Sequence, residues 1–342
     1  HFDSFSLVKL ITNSKNQPLA TAIAPYGRLN HENTYNMNNH FLQKTNPEAF
    51  YPDNYLWGNH EAYYNSNTGD FIQNRINNIC NQYYSNKNLV KNTNIEFKPI
   101  VQTYGEWHNL GTPHWDKIML PPDAQQRMLM YLPLCYGIDG LWTFKMESGT
   151  NLNDVPRSDI NEPDYRSLFS ENRSDYDPKI SPINRRGVSS FQPLSQYYVI
   201  KEALNEIKVI GNVLKQTEWD SAGTINQTEI PLDQNLNSQI SLNAKVEAEI
   251  SSNDPNYKGY VQYGIFQGQD DQLYLMLVNR RTNKRIDGNE GYPVNNIHVN
   301  NIFETASPQT VKLRVNSLPD GWEVFNNYTN ISQKSNLLPS NN

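Results

Sequence analysis

Through the first two thirds of the chain, four short strand-like runs, the second of them weaker and interrupted, alternate with longer segments whose apolar positions recur every three or four residues. The short runs fall at residues 19–24, 49–57 with Pro52 inside, 98–104 and 140–145. Apolar character that is continuous rather than alternating marks strands buried on both faces, so these four predict a parallel sheet wrapped by helices. Between them, Phe71, Ile72, Ile76, Ile79, Cys80 and Tyr83 share one helical stripe. Pro121 and Pro122 open a further helix that carries Met128, Leu129, Leu132 and Cys135, is kinked by Pro133 in its last turn and stops at Gly137. Ser195 caps the clearest helix, whose core face is Ile200, Ala203, Leu204, Ile207, Ile210 and Leu214.

After Trp219 the period changes to two. Alternating or short apolar runs at 245–250, 259–267, 272–279, 310–315 and 322–325 are separated by turn signals such as Gly268-Gln269-Asp270-Asp271 and Pro319-Asp320-Gly321. That pattern predicts an antiparallel β-sandwich over residues 219–342, following an α/β unit over 1–218. Within the first unit, residues 148–192 form a long polar insertion rich in Asp, Asn, Ser, Pro and Arg. Its place after the fourth strand predicts a loop over the strand ends, as a lid or cleft wall.

The chain of 342 residues is long enough for a sizeable core and for two domains. A formal charge of -6 and a pI near 5.7 leave no basic footprint, which argues against nucleic acid as a partner. Charged residues make up only 19%, while Asn is abundant and there are 21 Tyr. Such a surface is polar through amides and phenols, as suits uncharged, hydroxyl-rich ligands, although a compositional bias toward Asn reads the same way. Cys80 and Cys135 are too few for a disulfide framework and are expected as free buried thiols. No apolar stretch approaches the ~20 residues of a membrane span. The chain begins at His1 without a signal peptide and reads as a processed or partial product.

In parallel α/β architecture chemistry sits just past the C-terminal ends of the strands. Those positions hold Gln102, Glu106, Trp107, His108, Lys145 and Glu147. Tyr55, Trp57 and Tyr104 lie at strand ends as well, where flat rings suit the apolar faces of sugars. Trp142, inside its strand, reads instead as core. No His or acidic spacing matches a zinc or calcium site, and no Gly run cradles phosphate, so no metal or cofactor is expected.

The succession Phe97-Lys98-Pro99-Ile100-Val101-Gln102-Thr103-Tyr104-Gly105, the Leu120-Pro121 helix opening, the stretch 132–137 and Gly140-Leu141-Trp142-Thr143-Phe144 resemble the seventh and eighth strands of TIM-barrel glycoside hydrolases of the beta-galactosidase-like superfamily. Tyr51-Pro52-Asp53-Asn54-Tyr55 is similar, in altered order, to an element found at the sixth strand of such enzymes. The resemblance covers roughly residues 15 to 320. It implies that the α/β unit is the last four of eight barrel units, with the other half supplied by the same or an associated chain. It also implies a carbohydrate substrate, a secreted or cell-surface location, and cleavage by two carboxyl groups.

The resemblance places the general acid after the fourth strand, outside this chain, and the nucleophile after the seventh. There the sequence has Gln102, an amide that can bind a sugar hydroxyl but cannot attack or take a proton. Glu106 and Glu147 are the candidate catalytic carboxylates, each with a competing reading as a solvated loop residue. Asp53, Tyr55, Trp57, Gln102, Tyr104, Trp107 and His108 are the candidate substrate contacts, His108 also being readable as a plain surface histidine. Two functions stay open: a glycoside hydrolase, and a glycan-binding or structural subunit that has lost hydrolysis.

Overall fold

The computed structural model describes residues 20–23, 31–55, 69–109, 113–118, 121, 123–144, 164–166, 168–171, 191–193, 195–226, 228–232, 241–247, 261–269, 273–280, 310–316, 324–326 and 331–333. The chain is a mixed α/β protein with one parallel sheet and several antiparallel ones. Its first elements are β1 (Ala20–Ile23), α1 (His31–Thr45), β2 (Ala49–Asn54), α2 (Gly69–Val90), β3 (Glu96–Phe97) and β4 (Ile100–Gln102). Next come β5 (Gly105–Asn109), β6 (Pro113–Ile118), α3 (Asp123–Tyr131) and β7 (Trp142–Phe144).

Each of the four apolar runs becomes a strand, and they line up side by side in chain order, β1-β2-β4-β7, with every pair parallel. Directly partnered residues of parallel strands share a face. The pairs Asp53↔Ile100 and Ile100↔Trp142 therefore put Asp53 and Trp142 on one side, with Tyr51 two residues before Asp53. Phe50 and Val101 lie on the other side. That second face is the core: Phe50, Phe97 and Val101 pack with Phe41 of α1, Ile76 and Tyr83 of α2, and Met128 of α3.

The first face is different. It holds a small buried cluster of Ala49, Tyr51 and Ile100, and beyond it Trp142 and Phe144 are 57% and 43% exposed. Trp142 meets Tyr51 edge-on at 5.2 Å but is not the core residue that its place inside a strand predicts. Its strand is the last of the described sheet, and its ring stands on the face opposite the helix-covered core.

Pro133 acts as its ring chemistry requires. The α-helix ends at Tyr131 and tightens into a 3-10 turn, Leu132–Tyr136, which stops at Gly137 with φ +58°. Two of the carbonyls left over at this end are taken up from outside, Cys135 O by Trp219 Nε1 at 2.9 Å and Gly137 O by Lys87 Nζ at 2.6 Å. Cys80 and Cys135 are both buried and free.

The polar insertion is not one loop. It contributes β8 (Asp164–Arg166) and β9 (Phe169–Glu171), while β10 (Phe191–Pro193) closes it and pairs with β9. β8 returns to β5, making a three-stranded antiparallel sheet β6-β5-β8 on the chain that leaves the end of β4. α4 (Ser195–Leu214) follows and packs on α3, where Arg127 Nη2 donates to both carboxylate oxygens of Glu206 at 2.6 Å.

From β11 (Thr217–Ile225) on, the described strands are antiparallel: β12 (Ile230–Pro231), β13 (Ser241–Glu247), β14 (Val261–Gly268), β15 (Leu273–Asn279), β16 (Thr310–Asn316), β17 (Val324–Asn326) and β18 (Ile331–Gln333). Sheets β11-β14-β15 and β12-β13-β16 share one apolar cluster that includes Ile225, Leu242, Val246, Val261 and Ile265. The alternation of β14 sends Val261 and Ile265 into that cluster and Phe266 into the α/β core. Gly264 fits between, against the backbone of Cys135.

Candidate functional site

The C-terminal ends of β2, β4 and β7 meet at a small aromatic cluster. Tyr104, two residues past β4, is buried and stands edge-on to Tyr55 at 5.5 Å and to Phe144 at 5.3 Å. Tyr55 and Phe144 stack at 6.3 Å with their planes 30° apart. The three strands bring these rings together because the β4–β7 ladder continues past Gln102, through a bond from Thr103 N to Phe144 O at 2.9 Å.

Asp53 sits in this cluster. Its Oδ2 accepts a hydrogen bond from the Tyr55 hydroxyl at 2.6 Å. Its Oδ1 is buried and has no hydrogen-bond partner among the described residues. Burial pushes the carboxyl up from 3.8 to about 6, and the Tyr55 bond, which favours the charged form, offsets only part of that rise. The Tyr55 phenol is pushed up as well, first by burial and then by its bond to Asp53.

The sign of this shift sets a stability prediction. Folded Asp53 holds its proton to higher pH than the unfolded chain, so its contribution is fully present below about 3.8 and is lost as pH rises through about 6. Asp53→Asn keeps an acceptor for Tyr55 without the charge. Relative to the parent, the variant is expected to gain ~2 kcal/mol between pH 3.5 and pH 7, measured by urea unfolding across that range. A difference that stays flat with pH contradicts the burial of this carboxyl.

Gln102 lies beside the cluster but is fully buried. Its side-chain Nε2 donates to Tyr104 O at 3.0 Å, and its own carbonyl accepts from Gln126 Nε2, also at 3.0 Å. These bonds hold the chain at the end of β4 and so aim Tyr104. Gln126 was not among the residues singled out from sequence, although a glutamine three residues before Leu129 on the apolar stripe of its helix is the available signal. Phe144 was likewise passed over; it is the last apolar residue of its strand, two beyond Trp142.

The remaining candidates are spread more widely. Glu106, Trp107 and His108 lie on β5, a strand rather than the expected loop, between β6 and β8. Glu106 is in register with Ile118 on one side and Tyr165 on the other, and the β5–β6 pairing shifts between Glu106 and His108. Trp57 and Glu147 lie outside the described residues, as does Lys145.

No protein-family model matches the chain, and no curated protein matches it. Among the described residues no helix is long and apolar enough to cross a membrane.

Proposed function

We propose that the chain supplies the C-terminal half of a (β/α)8 glycosidase-type barrel followed by a β-sandwich, and that it acts on neutral poly- or oligosaccharide outside the cell or at its surface. The observation that carries this reading is the convergence of Asp53, Tyr55, Tyr104 and Phe144 at the C-terminal ends of three adjacent parallel strands. Aromatic rings with a few fixed polar groups are what a sugar needs, since its ring faces are apolar and its edges carry hydroxyls.

The winding of the sheet supports the barrel. In a doubly wound sheet the strand order reverses and helices cover both faces. Here the order runs in one direction and the main core lies on one face, as in a barrel wall. The partner is then a second four-unit half, whose side chains would meet Tyr51, Ile100 and Trp142 inside the closed barrel.

Hydrolysis by acid/base chemistry is the first function, with Glu106 or Glu147 as the carboxylate near the bond. A glycan-binding subunit without hydrolysis is the second reading, and Gln102 favours it: an amide stands where the resemblance expects the nucleophile, with its N–H committed to Tyr104 O. Incubation of the full-length protein with a panel of aryl glycosides separates the two. Turnover that falls at least about 100-fold in Glu106→Gln supports hydrolysis with Glu106 in the mechanism. Unchanged turnover removes Glu106, and binding of oligosaccharide without any turnover selects the second reading.

A further inference from the structure

We infer that Asp53 and Tyr55 form a proton-operated latch at the strand ends: with the Asp53 carboxyl neutral the rings of Tyr55, Tyr104 and Phe144 are held together, and with it ionised the segment 53–55 lets go of the cluster. The use of the latch, control of sugar binding, rests on the reading above; its action does not.

The latch sits where the backbone ladder ends. Asn54 closes β2, and its pairing with Val101 is the last of β2 with β4. Tyr55 comes next and is held through its side chain. Its hydroxyl donates to Asp53 Oδ2 at 2.6 Å, and its ring stands edge-on to Tyr104 at 5.5 Å and stacks on Phe144 at 6.3 Å. Tyr104 and Phe144 have a firmer footing, because the backbone bond from Thr103 N to Phe144 O ties their two segments together beside them. Of the three rings, Tyr55 is the one that a hydrogen bond to a titratable group fixes in place.

Burial decides which charge state the cluster tolerates. Asp53 Oδ1 is buried with no hydrogen-bond partner among the described residues, so an ionised carboxylate has the Tyr55 hydroxyl as its donor. A carboxylate buried in this way is costly unless a cation or several donors meet it. The titratable groups that face it among the described residues are phenols, Tyr55 of its own segment and Tyr83 of α2, with Tyr104 behind Tyr55. β7 brings Trp142, Thr143 and Phe144, none of which titrates. Ring faces carry negative charge density and do not take the place of a cation. A neutral carboxyl therefore keeps its place among these rings. A charged one gains by reaching water, and the movement that brings it there carries Tyr55 away from Tyr104 and Phe144. The change falls at about pH 6, the value to which burial raises this carboxyl.

Binding follows the state of the latch. Below that pH a sugar meets rings already in place, with Phe144 partly exposed to receive it. Above it, part of the binding energy goes into closing them, so affinity falls as pH rises.

Hydrogen exchange read by mass spectrometry tests the latch in the full-length protein, with Asp53→Asn measured beside the parent so that the intrinsic pH dependence of exchange cancels. The parent-to-variant ratio of exchange rates over residues 50–55 and 100–104 is expected to rise about 10-fold or more from pH 4.5 to pH 7.5, and to rise more than the same ratio over residues 261–268 of β14. A ratio that stays flat overturns the latch. An equal rise in β14 overturns it as well, since the charge would then loosen the whole fold. Titration with a neutral oligosaccharide reads the use of the latch: the parent is expected to bind about 5-fold or more weaker at pH 7.5 than at pH 4.5, and Asp53→Asn to change by less than about 2-fold. A parent affinity that does not change with pH removes the latch from binding. Absence of binding at both pH values, with the exchange result obtained, removes the sugar reading and leaves the latch standing.

Discussion

Replacing Gly264 by alanine is expected to cost about 3 kcal/mol or more, read as a fall in the urea midpoint at unchanged slope. A Cβ at this position would lie 2.3 Å from the carbonyl oxygen of Cys135 and 2.6 Å from its Cα. Neither partner can give way cheaply. Gly264 is held in the middle of its sheet by Ala222 on β11 and Met276 on β15. Cys135 belongs to the tight turn set by Pro133 and Gly137, and its carbonyl is already bonded to Trp219. The contact joins the antiparallel part of the chain to the α/β part, so the strain falls where the two meet. Gly211→Ala in α4 is the natural control: nothing lies within 4 Å of its Cβ position, and alanine is expected to stabilise that helix by ~0.5–1 kcal/mol.

Phe50→Ala is expected to cost about 3–5 kcal/mol, a large part of the ~5–15 kcal/mol that keeps a domain folded. Phe50 is completely buried on the helix-covered face and stacks on Phe97 at 6.4 Å. Truncation removes a whole ring from the main core, and neighbours from three helices cannot all collapse into the gap. Trp142→Ala on the opposite face is expected to cost under about 1 kcal/mol in the chain as given, because that ring is more than half exposed. The ratio of the two losses measures the asymmetry of the sheet. Comparable losses would mean that something covers Trp142, and the one-sided sheet would have to be abandoned.

The parallel strands were legible because an apolar run of four to eight residues between helical stripes is a local mark. The break in the third helix was legible for an equally local reason, since Pro133 cannot continue an α-helix without losing a bond. β5, β6 and β8 were not. Their residues are polar, and β8 joins from nearly sixty positions away through backbone bonds that no side-chain pattern announces. The exposure of Trp142 was hidden for another reason: an apolar run says that a strand is suited to burial, not what covers each face. Asp53 and Tyr55 were legible as a strand end with polar residues. Their surroundings were not, because Tyr104 and Phe144 come from segments about 50 and 90 residues further on and meet Asp53 only through the order of the sheet.

The claim on which the functional account turns is that the ends of β2, β4 and β7 bind sugar. A crystal structure of the full-length protein soaked with a neutral oligosaccharide tests it most directly. The account predicts a sugar ring against Phe144 with a hydroxyl within hydrogen-bond reach of Asp53 or Tyr55. Sugar seated only on the antiparallel sheets, with the Asp53 cluster empty at saturating ligand, would contradict it.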